Sequence, residues 1–274
     1  MSLEDKLQIT GITDEGLVRD HNEDSIGSDA TLGLLVLADG MGGHKGGEVA
    51  SAIAVDSILQ SIRDAMPDIS TGQTDENTGY SLESMAVENA IKDANLKIYE
   101  ASKNNSKYEG MGTTVVVLLF YDNRLTIAHV GDSRLYRMRE HSLEQMTRDH
   151  TLLQELVDRG FYTKKEANES LNKNLVTRAV GVNPTVDIDL LEDVALPGDT
   201  YLLCSDGLTD MIDDGLIEHI QLNHQDNLEK MNKELIKQAK DHGGKDNVSV
   251  MLAQVLKEFP ANAAWVSKIL KLFS

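Results

Sequence analysis

Residues 114–130 read TVVVLLFYDNRLTIAHV, and the fold turns on them. A β-branched apolar run over 114–120 is too short and too branched for a helix and reads as a buried strand. Asp122-Asn123 supplies the two turn residues, and 125–130 runs back, so the pair is an antiparallel hairpin. Gly131-Asp132-Ser133 turns the chain again into a strand at 135–138, with a further short strand expected at 143–146. This is a β-meander, and hairpin-joined strands favour antiparallel pairing.

The same reading extends outward. Residues 7–13 alternate as an opening strand. GLLVLA at 33–38 is a buried strand that ends in Asp39-Gly40. Apolar spacing predicts a helix over 47–66, stopped by Pro67, and a second over 82–102, with a polar surface loop between them. TYLLC at 200–204 is another buried strand, ending in Ser205-Asp206-Gly207. Helices follow at 214–222 and 226–241, and 247–256 alternates as a last strand. Thr151-x-x-Gln154 and Thr163-x-x-Glu166 are capping-box patterns that head short helices. Together these elements predict an α+β domain in which antiparallel sheets are covered by helices.

Composition narrows the function. The chain has 274 residues, 41% hydrophobic and only 4% aromatic, so its core is built from aliphatic side chains. The formal charge of −19 disfavours nucleic acid and anionic membrane as partners and suits metal cations or basic partners. No run approaches the roughly 18 apolar residues of a membrane span. The first residues carry neither a basic nor an apolar leader region, and a single cysteine, Cys204, excludes an internal disulfide. A reducing, cytoplasmic setting is the expectation.

Two apolar strands far apart in sequence both end in Asp-Gly, at Asp39-Gly40 and Asp206-Gly207. One such pair reads as a turn. Two of them, joined by Glu23-Asp24, Asp132 and Asp246, suggest converging carboxylates. With no nearby cysteine set or histidine pair, such a set suits hard divalent cations that take oxygen ligands.

The ordered series Arg19-x-x-Asn-Glu-Asp24, Ala38-Asp-Gly-Met-Gly-Gly-His44, Gly110-Met-Gly-Thr-Thr114, Val130-Gly-Asp-Ser-Arg134, Ser205-Asp-Gly-Leu-Thr-Asp210 and Asp246-Asn247 resembles the metal-dependent protein phosphatases of the 2C type in their compact bacterial form. It runs through nearly the whole chain. The resemblance implies a four-layer α-β-β-α sandwich, two antiparallel sheets flanked by helix pairs, with a flap subdomain at about 147–180. It implies hydrolysis of phosphoserine and phosphothreonine on proteins by a metal-bridging water, opposing a bacterial Ser/Thr kinase. Position by position, Asp39 resembles the carboxylate shared by two Mn²⁺ or Mg²⁺ ions, with the Gly40 carbonyl on one of them. Asp206 and Asp246 resemble ligands of the first ion, Glu23 and Asp24 groups around the second. Asp132 and Asp210, with Asp206, resemble ligands of a weaker third. Arg19 resembles the arginine that binds the substrate phosphate. The position after Asp39-Gly40 that holds a histidine in eukaryotic relatives is Met41 here, so His44 is the local candidate for general acid. His150 is a candidate for a substrate contact, and His21 reads as an exposed side chain.

Three further expectations concern other segments. Cys204 reads as a strand residue, because Ser205-Asp206 follows it instead of a glycine-rich phosphate loop. The flap segment carries six basic and five acidic residues on a strongly acidic chain, which suits the docking of phosphoproteins. The domain proper spans 5–256. Beyond it, 257–274 reads as a tail whose amphipathic helix, Ala261 onward, packs on its own domain or mediates a dimer, with a membrane contact least favoured. The alternative function is a catalytically inactive phosphoprotein-binding module on the same fold; a different phosphate ester as substrate also stays open.

Overall fold

The computed structural model describes residues 3–42, 46–163 and 175–259. His44, the capping pattern at 163–166, the middle of the flap segment and the amphipathic tail at 261–274 lie wholly or partly outside the described residues.

The hairpin at 114–130 is the centre of one sheet. Strand β5 (Val115–Tyr121) pairs antiparallel with β6 (Arg124–Val130), in the register Val115 to Val130 and Tyr121 to Arg124. Asp122 and Asn123 both adopt positive φ, 51° and 58°, as a two-residue turn that matches strand twist requires. Outward from this hairpin lie β3 (Leu34–Met41) and β2 (Asp24–Asp29) on one side and β9 (Asp189–Val194) on the other. A two-residue strand, β4 (Gly112–Thr113), extends β3. The second sheet runs β1 (Leu7–Asp14), β11 (Val248–Val255), β10 (Thr200–Cys204), β7 (Arg134–Arg139) and β8 (Ser142–Gln145). Every pairing among the described residues is antiparallel.

Three apolar clusters define four layers. The first buries helices α1 (Gly46–Ala65) and α2 (Leu82–Asn104) on the β2-to-β9 sheet, through Ala54, Ile58, Ile91 and Ile98 against Val36, Val117 and Val130. The second lies between the sheets, where Leu35, Leu37, Val116 and Leu118 meet Leu203, Met251 and Ala253. Phe120 stands edge-on to Tyr201 there, with ring centroids 5.4 Å apart. The third buries α5 (Asp214–Asn223) and α6 (Leu228–Asp241) on the other sheet, through Ile217, Met231 and Leu235 against Leu202, Val250 and Leu252. These are the layers the family resemblance implies.

Besides the two-residue β4, two of the described strands escape the periodicity reading. Strand β2 is DSIGSD, polar and small, with only Ile26 as a large apolar residue. Its glycine has a packing reason: a Cβ at Gly27 would come within 2.7 Å of Val55 and Leu59, so the small residue lets α1 close on the sheet. Strand β9, DLLEDV, lies at the edge of its sheet, and its Glu192 pairs with Arg124 at 2.5 Å. Edge strands carry charge where central ones cannot.

Candidate metal and phosphate site

The candidate residues gather where the chain passes between the two sheets. The crossing from β1 to β2 carries Arg19, Glu23 and Asp24, and the crossing from β6 to β7 carries Asp132. Asp39 closes the apolar part of β3, Asp206 begins the short helix α4 (Asp206–Thr209) directly after β10, and Asp246 precedes β11. Strand ends hold these groups on a rigid frame.

Glycines set how closely the frame draws together. A Cβ on Gly40 would fall 2.1 Å from the Gly47 carbonyl oxygen and 2.6 Å from that of Glu23. A Cβ on Gly207 would fall 1.9 Å from the Asn247 carbonyl oxygen. Only glycine at these positions allows β3 to meet the start of α1, and α4 to meet the segment before β11. Side chains lock the same contacts. The Asn247 amide donates to the Glu15 and His21 carbonyls, at 3.1 and 2.9 Å, and its Oδ1 accepts the Glu23 N–H at 2.8 Å. The Asp39 carbonyl accepts the Thr114 N–H and the Thr113 hydroxyl, both at 2.8 Å.

Asp24 and Asp39 face each other in the β2–β3 register. Asp24 is buried; its Oδ2 accepts the hydroxyls of Ser205 at 2.8 Å and Ser249 at 2.6 Å. Its Oδ1 is buried with no hydrogen-bond partner. Burial pushes the Asp24 carboxyl up to about 6 against those two hydroxyls, with Asp246 adding repulsion. Asp132 is pushed up to about 6 by burial and then by the charge of Asp149. Asp39 is raised well above the usual carboxylate range by burial, then by Asp24, Asp206, Asp132 and Asp246. Asp206 is raised in the same way, by burial and then by Asp132, Asp210, Asp246 and Asp24. These acidic groups thus share one field, and the cluster is short of positive charge. Arg19 sits at its rim. Its half-exposed guanidinium donates to Asp246 Oδ2 at 2.6 Å, which raises its pKa, with Glu23 and Asp206 nearby. The ion pair with Asp20 or Glu23 that a surface arginine would make is replaced by one across the site.

An all-oxygen, over-acidic set with an orphaned buried carboxylate oxygen fits hard divalent cations. A second group lies elsewhere: ligand atoms of His129, His150 and Asp189 come within 4.8 Å of one another. The Gly131 N–H donates to His150 Nδ1 at 3.1 Å, which leaves the proton of the neutral ring on Nε2, 3.3 Å from Asp189 Oδ2. That nitrogen then has no lone pair to offer a cation, and the three side chains meet by ring stacking and by the approach of Nε2 to the Asp189 carboxylate. Burial, then His129, lowers the His150 pKa and keeps the ring neutral.

His150 is 5% exposed, and its ring stacks on His129 at 4.7 Å. This burial runs against the substrate contact expected for it. Cys204 is fully buried, and burial pushes its thiol up to about 12, which agrees with a strand residue and not a nucleophile. Sequence reasoning assigns no role to Asn247, Ser205 or Ser249. They act by hydrogen bonds to distant partners, and only the places of Asn247 beside Asp246 and of Ser205 beside Asp206 give a signal.

Comparison with known proteins agrees with this geometry. The profile of the protein phosphatase 2C family matches residues 17–257. A Listeria monocytogenes serine/threonine phosphatase, stp, is 36% identical over 245 residues, covering 88% of this chain and 93% of that protein. The crystal structure of the Mycobacterium tuberculosis serine/threonine phosphatase PstP/Ppp superposes with a TM-score of 0.82 at 37% identity, covering 92% of this chain and all of that one. A PstP catalytic domain solved with two manganese ions gives a TM-score of 0.78 at 36% identity, covering 92% of this chain and 99% of that one. With strands, layers and site in family order, the chain belongs to the protein phosphatase 2C family.

Proposed function

We infer that this protein is a metal-dependent protein phosphatase that hydrolyses phosphoserine and phosphothreonine, countering a Ser/Thr kinase. The observation that carries the reading is the convergence of Asp24, Asp39, Asp132, Asp206, Asp210 and Asp246 in one mutually repelling cluster with Arg19 at its edge. A module that only bound phosphoproteins would have no use for a buried cluster that destabilises it. Asp39, with the Gly40 carbonyl beside it, would hold two Mn²⁺ or Mg²⁺ cations together with Asp206, Asp246, Glu23 and Asp24, and Asp132 and Asp210, with Asp206, would hold a weaker third. Two such cations would acidify a water between them and neutralise phosphate charge. Arg19 presents paired N–H donors to the phosphate oxygens and holds the ester in line. Asp24, fixed by Ser205 and Ser249, keeps the nearby carboxylates in register.

The test is hydrolysis of an aryl phosphate and of a phosphothreonine peptide by the full chain with Mn²⁺. Both should be cleaved, activity should stop on addition of EDTA, and it should return with excess Mn²⁺. Activity that survives EDTA, or cleavage of a small phosphorylated metabolite in preference to the peptide, overturns the reading.

The segment at 147–180 is proposed as the docking element for the protein part of the substrate. Its helix α3 (Leu152–Asp158) is capped by Thr151, whose hydroxyl accepts the Gln154 N–H at 3.2 Å, and it exposes Leu152. Phe161 is 71% exposed just beyond it. Exchanging 152–176 for the equivalent stretch of a relative should change rates on phosphoproteins several-fold and leave the aryl phosphate rate within about twofold, as expected for loops that read partners. Equal losses on both substrates would refute this role.

A further inference from the structure

We propose that His150 is a positioning residue for Asp132: one side chain and its own backbone grip both peptide groups of Gly131, and so aim the carboxylate of the next residue. This rests on the reading of Asp132 as a metal-binding carboxylate.

Gly131 is where chain direction is least determined. It takes φ +106°, a conformation that side chains rarely adopt, and a Cβ there would fall 2.6 Å from Thr114. A glycine so placed satisfies the sharp crossing from β6 to β7 but confers little rigidity on its neighbour Asp132. His150 supplies the rigidity. Its ring Nδ1 accepts the Gly131 N–H at 3.1 Å, and its backbone N–H donates to the Gly131 carbonyl at 2.9 Å. The first bond holds the peptide before Gly131, the second the peptide that joins Gly131 to Asp132. Asp132 itself is 8% exposed.

The grip is itself anchored. The His150 carbonyl accepts the Thr177 N–H at 2.8 Å, and the ring is held between His129 and Asp189. His129 is fixed by the Arg148 carbonyl at 2.8 Å, and Asp189 Oδ1 takes the Arg178 guanidinium at 2.7 Å. One residue earlier, Asp149 accepts a forked pair of bonds from Arg134, just past Asp132, at 2.9 and 2.7 Å. The two ends of the segment at 147–180 therefore converge on the peptide that carries Asp132. Buried groups that orient a metal ligand without touching the metal typically affect affinity or activity by about 10- to 100-fold.

The experiment compares Asp132→Asn, His150→Ala and His150→Asn in the full chain, each assayed below its own melting temperature. Activity on an aryl phosphate is measured against Mn²⁺ concentration. Asparagine carries its Oδ1 on Cγ, where histidine carries Nδ1, so it can accept the Gly131 N–H while losing the Asp189 contact. His150→Ala should lose about 10- to 100-fold in kcat or in apparent Mn²⁺ affinity, in the same direction as Asp132→Asn, with the KM for the aryl phosphate unchanged. His150→Asn should recover to within about threefold of the parent, which a purely structural role for the buried ring would not produce. If Asp132→Asn is impaired while His150→Ala keeps the parental Mn²⁺ curve, the positioning role is wrong. It is equally wrong if a folded His150→Asn falls as far as Asp132→Asn. If Asp132→Asn itself behaves as the parent, the failure lies in the assignment of Asp132, and the proposal goes with it.

Discussion

Asp39→Asn should lose more than about a hundredfold of manganese-dependent hydrolysis, the scale on which preorganised charge-stabilising groups act, and should melt at a higher temperature than the parent when no metal is present. The second half follows from the sign of the pKa shifts. An acid whose folded pKa lies above its unfolded value, near 4, stabilises the fold while it is protonated. That contribution is lost as pH rises from the unfolded to the folded value. Asp24 and Asp132 are pushed up to about 6, and Asp39 and Asp206 are shifted in the same direction by burial and by one another. From about pH 4 to 6 and above, the metal-free site therefore costs the fold progressively more. Replacing Asp39 removes one buried charge from that repulsion and keeps the shape. Each kcal/mol relieved raises the melting temperature of a chain this size by about 2–4 °C. Added Mn²⁺ should stabilise the parent more at pH 7.5 than at pH 5.5 and the variant little at either. Scanning calorimetry at both pH values checks all of this, and a variant that melts below the metal-free parent contradicts it.

The same repulsion explains why the site can be read from sequence only up to a point. Buried strands that end in Asp-Gly are visible as patterns, because an apolar run must stop where a charge is placed. Asp39 and Asp206 are legible for that reason, and so is the hairpin at 114–130, whose apolar run and turn are local. Strand β2 is not, because its identity comes from pairing with β3 and from α1 closing over Gly27. The roles of Ser205 and Ser249 are silent, although Ser205 stands in a motif, because their work is to hold Asp24 across more than 180 residues of chain. His150 stands out in the sequence for the wrong reason. It adjoins a changed segment that could face a substrate, yet its ring is spent on Gly131 inside the protein. Residue type and neighbourhood suggest chemistry; burial decides which side of the wall that chemistry is on.

Arg19→Ala should cut kcat/KM for the aryl phosphate and for a phosphothreonine peptide alike, by about a hundredfold or more, as loss of a donor to transition-state charge does. Arg19→Lys should restore little, because an ammonium cannot reproduce two parallel N–H bonds to one phosphate. The guanidinium donates to Asp246 Oδ2 at 2.6 Å, so a cation held by Asp246 would compete with the arginine for that carboxylate. On the proposed function, loading of the site would then loosen the hold on Arg19 and leave its donors to the ester. Removing Arg19 removes the competitor, so the Mn²⁺ concentration for half-maximal activity should stay level or fall while turnover collapses. Titrating Mn²⁺ against both variants separates the two roles. A rise in the Mn²⁺ requirement at unchanged turnover would assign Arg19 to holding Asp246 in place, and the phosphate would then need another cation to bind it.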